Sequence, residues 1–390
     1  MYLLIIAVIF LAFIGIGSTE ALLGSAWPTM QEEMGVPLSY AGVITLLFGC
    51  GIITSSLMSA RLTKRFGAVV VTTASVFLSA SALLGFSFAN SFWMLCLFAL
   101  PLGLASGSID ATLNSYVALH YSSKYMSWLH SFWGLGAVIS PFIMGYALRS
   151  GMGWNSGYRY VFFIQLTVGL LLLLSMPLWK KQKTAETIEI NKARALSLAE
   201  ILRIKEVKYL LFAFFAYCAV EATSALWATS YLVRQRGVDP EVAASYAALF
   251  FIGITVGRFV SGFIADKLGD KNMIKIGVVI TFLGIFAVWM PISSNWLALN
   301  GLVIIGLGCA PIFPAVIHST PIIFGQERAQ SIIGVQMASA YTGTTLMPPL
   351  FGLIANHIDI RLFPIYLFVM AVIMLLMFVQ INRLVGKNLQ

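Results

Sequence analysis

Charge is what this sequence has least of. Only 10% of its 390 residues are Asp, Glu, Lys or Arg, against about 25% in a soluble domain. That excludes a water-exposed surface over most of the chain. Histidine and cysteine are equally scarce, at four each. Cys50, Cys96, Cys218 and Cys309 all fall in apolar runs and share no metal-ligand spacing. They read as small buried residues, neither disulfides nor a metal site. No glycine-rich loop ends in Lys-Ser/Thr, which argues against direct drive by ATP. No nucleophile constellation stands out, so no catalytic residues, metal or organic cofactor are expected, and the chain does not read as an enzyme. A net charge of +9 would point to nucleic acid in a soluble protein. Here the placement of the charges matters more than their sum, and no nucleic-acid partner is expected.

What is present is apolar length. Hydrophobic residues make up 59% of the chain and the mean hydropathy is +0.90. A helix needs about 20 apolar residues to cross a bilayer. Twelve such segments can be placed, at 2–27, 39–60, 68–87, 92–119, 128–148, 159–178, 208–232, 242–264, 272–291, 296–320, 329–355 and 362–383. The first lacks a basic leader and a small-residue cleavage site, so it reads as a retained helix rather than a signal peptide. The expectation is an all-α, multi-pass membrane protein whose lipid partner is the bilayer of a cell membrane, in a bacterium the inner one.

Lysine and arginine set the orientation. With the N-terminus inside, 18 of the 24 basic residues fall on the cytoplasmic side, five fall opposite, and Arg258 lies within a span. Both termini are therefore expected in the cytoplasm. The one long polar stretch, 179–206, reads as a cytoplasmic linker between a six-helix bundle at 1–178 and a second at 207–390. Its Ser197–Lys205 portion can form a short helix on the membrane surface.

The two halves repeat at an offset near 202. LFGCGIITSSLMSARLTKRFG (47–67) aligns with LFFIGITVGRFVSGFIADKLG (249–269), pairing Gly51 with Gly253 and Gly67 with Gly269. TEALLGSAW (19–27) resembles VEATSALW (220–227), pairing Glu20 with Glu221 and Trp27 with Trp227. Gly136–Pro141–Gly145 aligns with Gly343–Pro348–Gly352. Internal repeats of this kind belong to transporters that alternate access around a midplane site.

The stretch Gly262-Phe-Ile-Ala-Asp266-Lys267-Leu-Gly269-Asp-Lys271 matches the loop motif of the major facilitator superfamily, here in its second copy. The first copy, Ala60-Arg-Leu-Thr-Lys64-Arg65-Phe-Gly67, has Ala60 and Lys64 in place of the motif's glycine and aspartate. The chain resembles that superfamily along essentially its whole length. The resemblance implies a monomeric secondary transporter with two pseudo-symmetric six-helix bundles. It also implies a conformational latch at Arg258, Gly262, Asp266, Lys267 and Gly269, from whose pattern the first copy departs.

Within the superfamily, several features resemble the fucose-permease-like sugar:proton symporters. They are acids in the first and fourth helices, an Asn one turn after the second acid, and His130 opening the fifth helix. By that resemblance Glu20 and Asp110 are proton-coupling residues and Asn114 touches solute. The efflux families differ in two features. They carry an arginine in the fourth helix, absent here, and a Gly-Pro pair in the fifth, where this chain has Ser140–Pro141.

The embedded polar residues are few. Gly103, Gly107, Asp110 and Asn114 share one face of a helix, small at one end and polar at the other. Leu104, Ile109 and Leu113 form the opposite face, toward lipid or other helices. A carboxylate in hydrocarbon costs roughly 2.5–3.5 kcal/mol on insertion scales, so Asp110 must face a cavity or a partner. It is either a hydrogen-bonding group between packed helices or part of a solute pathway. Glu20 and its mirror Glu221 pose the same choice. Gln336, Trp133, Trp227 and His130 complete the candidate solute contacts. The aromatic ones are equally explained as packing or interfacial residues, and His130 as a hydrogen-bonded one. The leading expectation is proton-coupled uptake of a small polar solute, a sugar foremost. The alternatives are a proton antiporter exporting drugs or amphipathic metabolites, and a non-transporting membrane protein on the same fold.

Overall fold

A computed structural model describes residues 2–181, 194–292 and 294–388. Twelve long helices run through them: α1 Tyr2–Glu33, α2 Ala41–Phe66, α3 Ala68–Ser87, α4 Phe92–His120, α5 Ser123–Arg149, α6 Gly153–Lys181, α7 Lys205–Arg236, α8 Pro240–Leu268, α9 Asp270–Trp289, α10 Trp296–Phe324, α11 Gln326–Ile354 and α12 Phe363–Asn388. Each of the twelve apolar runs is a helix. Eleven stretches are long and apolar enough to span, because α11 and α12 merge into one of 59 residues by composition alone. A π-turn at Ala355–Asp359 and a 3-10 turn at Ile360–Leu362 part them.

The helices outrun the apolar segments by several residues, since hydrogen bonding continues where the hydrocarbon ends. Single glycines stop them. Gly67 joins α2 to α3 with φ +88°, and Gly269 joins α8 to α9 with φ +73°. Both lie in the region a side chain disfavours, so these one-residue turns fix the motif's last glycine in both copies.

The expected short helix in the linker forms at Leu198–Arg203. Ser197 caps it, accepting the Glu200 N–H while Glu200 accepts the Ser197 N–H, a reciprocal capping box. Lys183 and Lys192, expected on the cytoplasmic side, lie outside the described residues.

The chain divides into two compact units. One comprises Met1–Tyr116, Phe132–Leu196 and Gln326–Ala338; the other comprises Val117–Ser131, Ser197–Gly325 and Ser339–Gln390. Each thus takes a short segment from the opposite half of the sequence.

In the first unit α2 and α4 touch backbone to backbone. A Cβ on Gly103 would lie 2.0 Å from the Phe48 carbonyl oxygen, and one on Gly107 2.5 Å from that of Ile52. The small end of the Gly103–Asn114 stripe is therefore a helix–helix seam. Its opposite face meets protein too, because Ile109 and Leu113 are fully buried. In the second unit the repeat shows in space: a Cβ on Gly306 of α10 would lie 2.5 Å from the Phe250 carbonyl oxygen of α8. A hydrophobic core of the first unit gathers Leu22, Trp27, Leu83, Phe86, Trp154 and Tyr158. Large apolar side chains such as Trp93, Phe142 and Leu174 are exposed, as helices solvated by lipid require. All four cysteines are free; three are buried and Cys50 is exposed.

Candidate functional site

The first unit holds the acidic cluster. α1 and α5 cross closely enough that a Cβ on Gly17 would lie 2.0 Å from the Trp133 carbonyl oxygen, and one on Gly136 2.1 Å from that of Ile14. Ser18 Oγ ties the crossing by donating to the Gly136 carbonyl at 3.2 Å. This contact brings the Trp133 indole beside Glu20, where Nε1 donates to Glu20 Oε2 at 3.0 Å. Glu20 Oε1 is buried and accepts no hydrogen bond.

Asp110 lies close enough to interact electrostatically with Glu20. It is buried, and Asn114 Nδ2 donates to its Oδ1 at 2.8 Å. The i, i+4 spacing read from the sequence is the spacing that lets this bond form within α4. Next to Glu20, Thr19 accepts from Gln165 Nε2 at 3.1 Å, and the same amide reaches Ser79 at 3.3 Å. Gln165, the one amide side chain in the apolar stretch 161–174 of α6, was not singled out by sequence reasoning. Its isolation in an apolar run was the available signal. Gln336 belongs to this unit and is fully buried.

The second unit holds the other acid. Glu221 of α7 pairs with Arg258 of α8 at 3.3 Å. The arginine is 3% exposed and the glutamate 22%. The Tyr217 hydroxyl, one turn earlier on α7, donates to Glu221 Oε2 and also contacts the Cys309 carbonyl at 3.0 Å. Tyr217 was missed, although its i, i+4 spacing to Glu221 signalled it. The Arg258 guanidinium lies over the Phe313 ring at 5.7 Å, and the His130 ring packs against the same ring at 4.6 Å. Glu221 mirrors Glu20 in sequence but not in environment, since one is neutralised by a buried arginine and the other has none beside it in its hydrogen-bond set.

Arg258 is accordingly placed with Glu221 rather than with Asp266. Eight residues of α8 separate the two, about 12 Å along the axis. Trp227 donates Nε1 to the Pro348 carbonyl at 2.9 Å, and its ring fills the space above Gly352. The bond ties α7 to α11 at the first of that helix's paired prolines, Pro348 and Pro349.

Of the other residues expected in a latch, Asp266 and Gly262 meet the start of α5. Asp266 accepts the Ser122 hydroxyl at 2.8 Å and the Lys124 backbone N–H at 3.0 Å, capping α5 from the end of α8. The first N–H groups of a helix lack intrahelical partners, and a carboxylate suits them. Gly262 gives its place to Trp128: a Cβ there would lie 2.2 Å from the indole Nε1, which donates to the Phe259 carbonyl at 3.2 Å. Lys267 is exposed.

Asp270, the residue after the motif's last glycine, accepts Ser123 Oγ at 2.6 Å and lies 2.6 Å from His318 Nδ1. His318 Nε2 is 3.1 Å from the Tyr121 carbonyl oxygen. In the first copy, Lys64 stands where the motif has aspartate and interacts with Glu327, in the first turn of α11.

The sequence profile of the Major Facilitator Superfamily matches residues 8–231 and again 209–387. The glucose/mannose transporter GlcP of Bacillus subtilis is 24% identical over 95% of this chain and 93% of its own. The class B tetracycline resistance protein of Escherichia coli is also 24% identical, over 85% and 83%. Among solved structures, FucP in its outward conformation shares the fold with a TM-score of 0.75 at 16% identity, covering 95% of this chain and 98% of that one; FucP is the E. coli fucose:proton symporter. With twelve helices, a repeated loop motif and profile matches across both halves, the chain belongs to the Major Facilitator Superfamily and is a multi-pass membrane transporter, not an enzyme.

Proposed function

We propose that this transporter takes up a small polar solute, a sugar foremost, together with a proton, by alternating access. The observation that carries the reading is Glu20: a buried carboxylate oxygen without a donor, on a side chain within electrostatic range of Asp110. Two carboxylates in an apolar setting are poorly tolerated when both are charged, so a proton entering the pair relieves a real cost. Asn114 hydrogen-bonds one of them and can report solute binding to it. In this reading Glu20 and Asp110 carry the proton. Asn114, Gln336 and Trp133 are the candidate solute contacts of the first unit, and His130, Glu221 and Trp227 those of the second. The sugar-transporting names of GlcP and FucP support the substrate class.

Export of a cationic drug by proton exchange is the second reading, favoured by the tetracycline resistance relative. It asks for free acidic groups, and Glu221 is already held by Arg258 and Tyr217. Asp110 likewise holds the Asn114 amide, so a cation in the first unit would turn to the unsatisfied oxygen of Glu20.

The test is solute-driven proton movement in liposomes containing the purified protein and a pH-sensitive dye. Adding a monosaccharide outside should draw protons in with it. Proton movement in the opposite direction on adding a lipophilic cation, with no response to sugars, would replace symport by antiport. No proton movement with either class would remove proton coupling.

A further inference from the structure

A groove of about 720 Å³ runs along the outside of the second unit, between α9, α12 and the end of α10. Its volume lies within the usual range of a ligand site. On α9 its lining residues follow a helical face: Lys271 and Lys275 come first, then Val279 and Phe282. Phe378 of α12 and Ile322 of α10 supply the facing walls, with Asn382 beside the lysines' end. The groove is thus cationic at one end and apolar at the other. Both lysines are exposed. Asp270, the acid at the same end, is occupied by Ser123 and His318.

We infer that this groove binds an anionic phospholipid of the leaflet on the linker side, cytoplasmic in the reading of the basic residues given above. Its dimensions fit that occupant. Eleven residues of α9 separate Lys271 from Phe282, about 16 Å along the axis, and half of a bilayer's hydrocarbon core is about 15 Å. An acyl chain lying from the lysines to Phe282 therefore spans its own leaflet and no more. Lysines at the headgroup level attract phosphate, and basic pockets between spanning helices on that side recognise anionic lipids. Val279 and Ile322 are large exposed apolar residues in this groove, and such residues are expected to face lipid in any case. The lysines add headgroup selectivity. The inference rests on the groove and the membrane fold, not on the solute or the proton.

Native mass spectrometry of the full-length protein in detergent, titrated with dioleoyl phosphatidylglycerol or dioleoyl phosphatidylcholine, tests it. Phosphatidylglycerol should be retained over phosphatidylcholine. Lys271→Gln with Lys275→Gln should erase about 25-fold of that preference, roughly fivefold for each lysine. Val279→Trp, which fills a lipid-exposed part of the groove, should remove the retained lipid while leaving the lysines in place. Equal retention of the two lipids by the unaltered protein would overturn the proposal, as would a preference that survives both variants. Retention of glycerol phosphate alone as strongly as the phospholipid would also overturn it, showing a phosphate site without a place for the chain.

Discussion

Asp266 accepts the backbone N–H of Lys124 at 3.0 Å, so the end of α8 caps the start of α5. The same carboxylate holds the Ser122 hydroxyl. Asp266 is exposed, which keeps each bond modest. Losing a cap costs about 1 kcal/mol. Asp266→Ala should therefore leave the protein folded but raise amide hydrogen exchange across 122–126, measured by mass spectrometry in detergent. Asp266→Asn, which still offers an oxygen, should exchange more slowly than the alanine variant. Equal exchange in both variants and the unaltered protein would show that the contact does not hold α5.

The first motif copy uses the opposite sign. Lys64 interacts with Glu327 where the second copy sets Asp266 against a helix N-terminus. A lysine cannot accept the N–H groups that an aspartate caps; its charge is instead set against the Glu327 carboxylate. Glu327→Lys should weaken the contact, and Lys64→Glu in addition should restore it. Exposed pairs contribute about 0–1 kcal/mol and are screened by salt. The restoration should thus be readable as transport rate at low ionic strength and should fade in high salt. Additive effects at all salt concentrations would mean that the pair does not couple.

Close helix crossings should be intolerant of any side chain. A Cβ on Gly17 would sit 2.0 Å from the Trp133 carbonyl oxygen. Backbone cannot step aside as a flexible side chain can, and overpacking typically costs about 1–3 kcal/mol. Gly17→Ala should lower the thermal midpoint in detergent and also displace the Trp133 indole from Glu20. Gly24→Ala on the same helix meets nothing within 4 Å and should be silent. Equal midpoints for the two variants would contradict the packing.

The fold was legible because its signal is physical and long-range: twenty apolar residues can only be a buried or lipid-solvated helix, and twelve such runs leave few architectures. Asp110–Asn114 and the turn at Gly269 were legible for a related reason, since their spacing within one helix or one turn fixes what they can reach. The partners were not. Trp133 beside Glu20 depends on how closely α1 crosses α5, which Gly17 and Gly136 set across 119 residues of sequence. Arg258 shows the same limit. Sequence position put it with the latch, but a buried guanidinium needs a carboxylate within reach, and Glu221 on another helix is that carboxylate. Trp227, expected as a solute contact, spends its N–H on the Pro348 carbonyl of another helix, a partner 121 residues away that no local spacing signals.

Removing the two partners of that ion pair should have unequal costs. Taking away Glu221 leaves the Arg258 charge nearly fully buried without its carboxylate, and breaking a buried pair costs about 3–5 kcal/mol. Taking away Arg258 leaves a partly exposed carboxylate that still has the Tyr217 hydroxyl. Glu221→Gln should therefore lower the thermal midpoint more than Arg258→Met. The double variant should recover most of the loss, because well-packed neutral groups replace a buried ion pair at little cost. A double variant no more stable than Glu221→Gln alone would show that Glu221 is held mainly by Tyr217.

Asp110 should separate proton coupling from solute binding. Asp110→Asn keeps the size of the side chain and an oxygen for the Asn114 amide at 2.8 Å, but it removes the charge that Glu20 senses. If a proton shared by the two acids drives uptake, this variant should lose accumulation under an imposed pH gradient, by 10-fold or more. It should retain exchange of labelled for unlabelled solute, because exchange needs no net proton movement. Glu20→Gln should behave in the same way, and each single variant should nearly match the double, as expected when two groups act as one unit. Accumulation that persists in Asp110→Asn but fails in Glu20→Gln would assign the proton to Glu20 alone. Loss of both accumulation and exchange in Asp110→Asn, with the thermal midpoint unchanged, would make Asp110 a solute-binding residue instead.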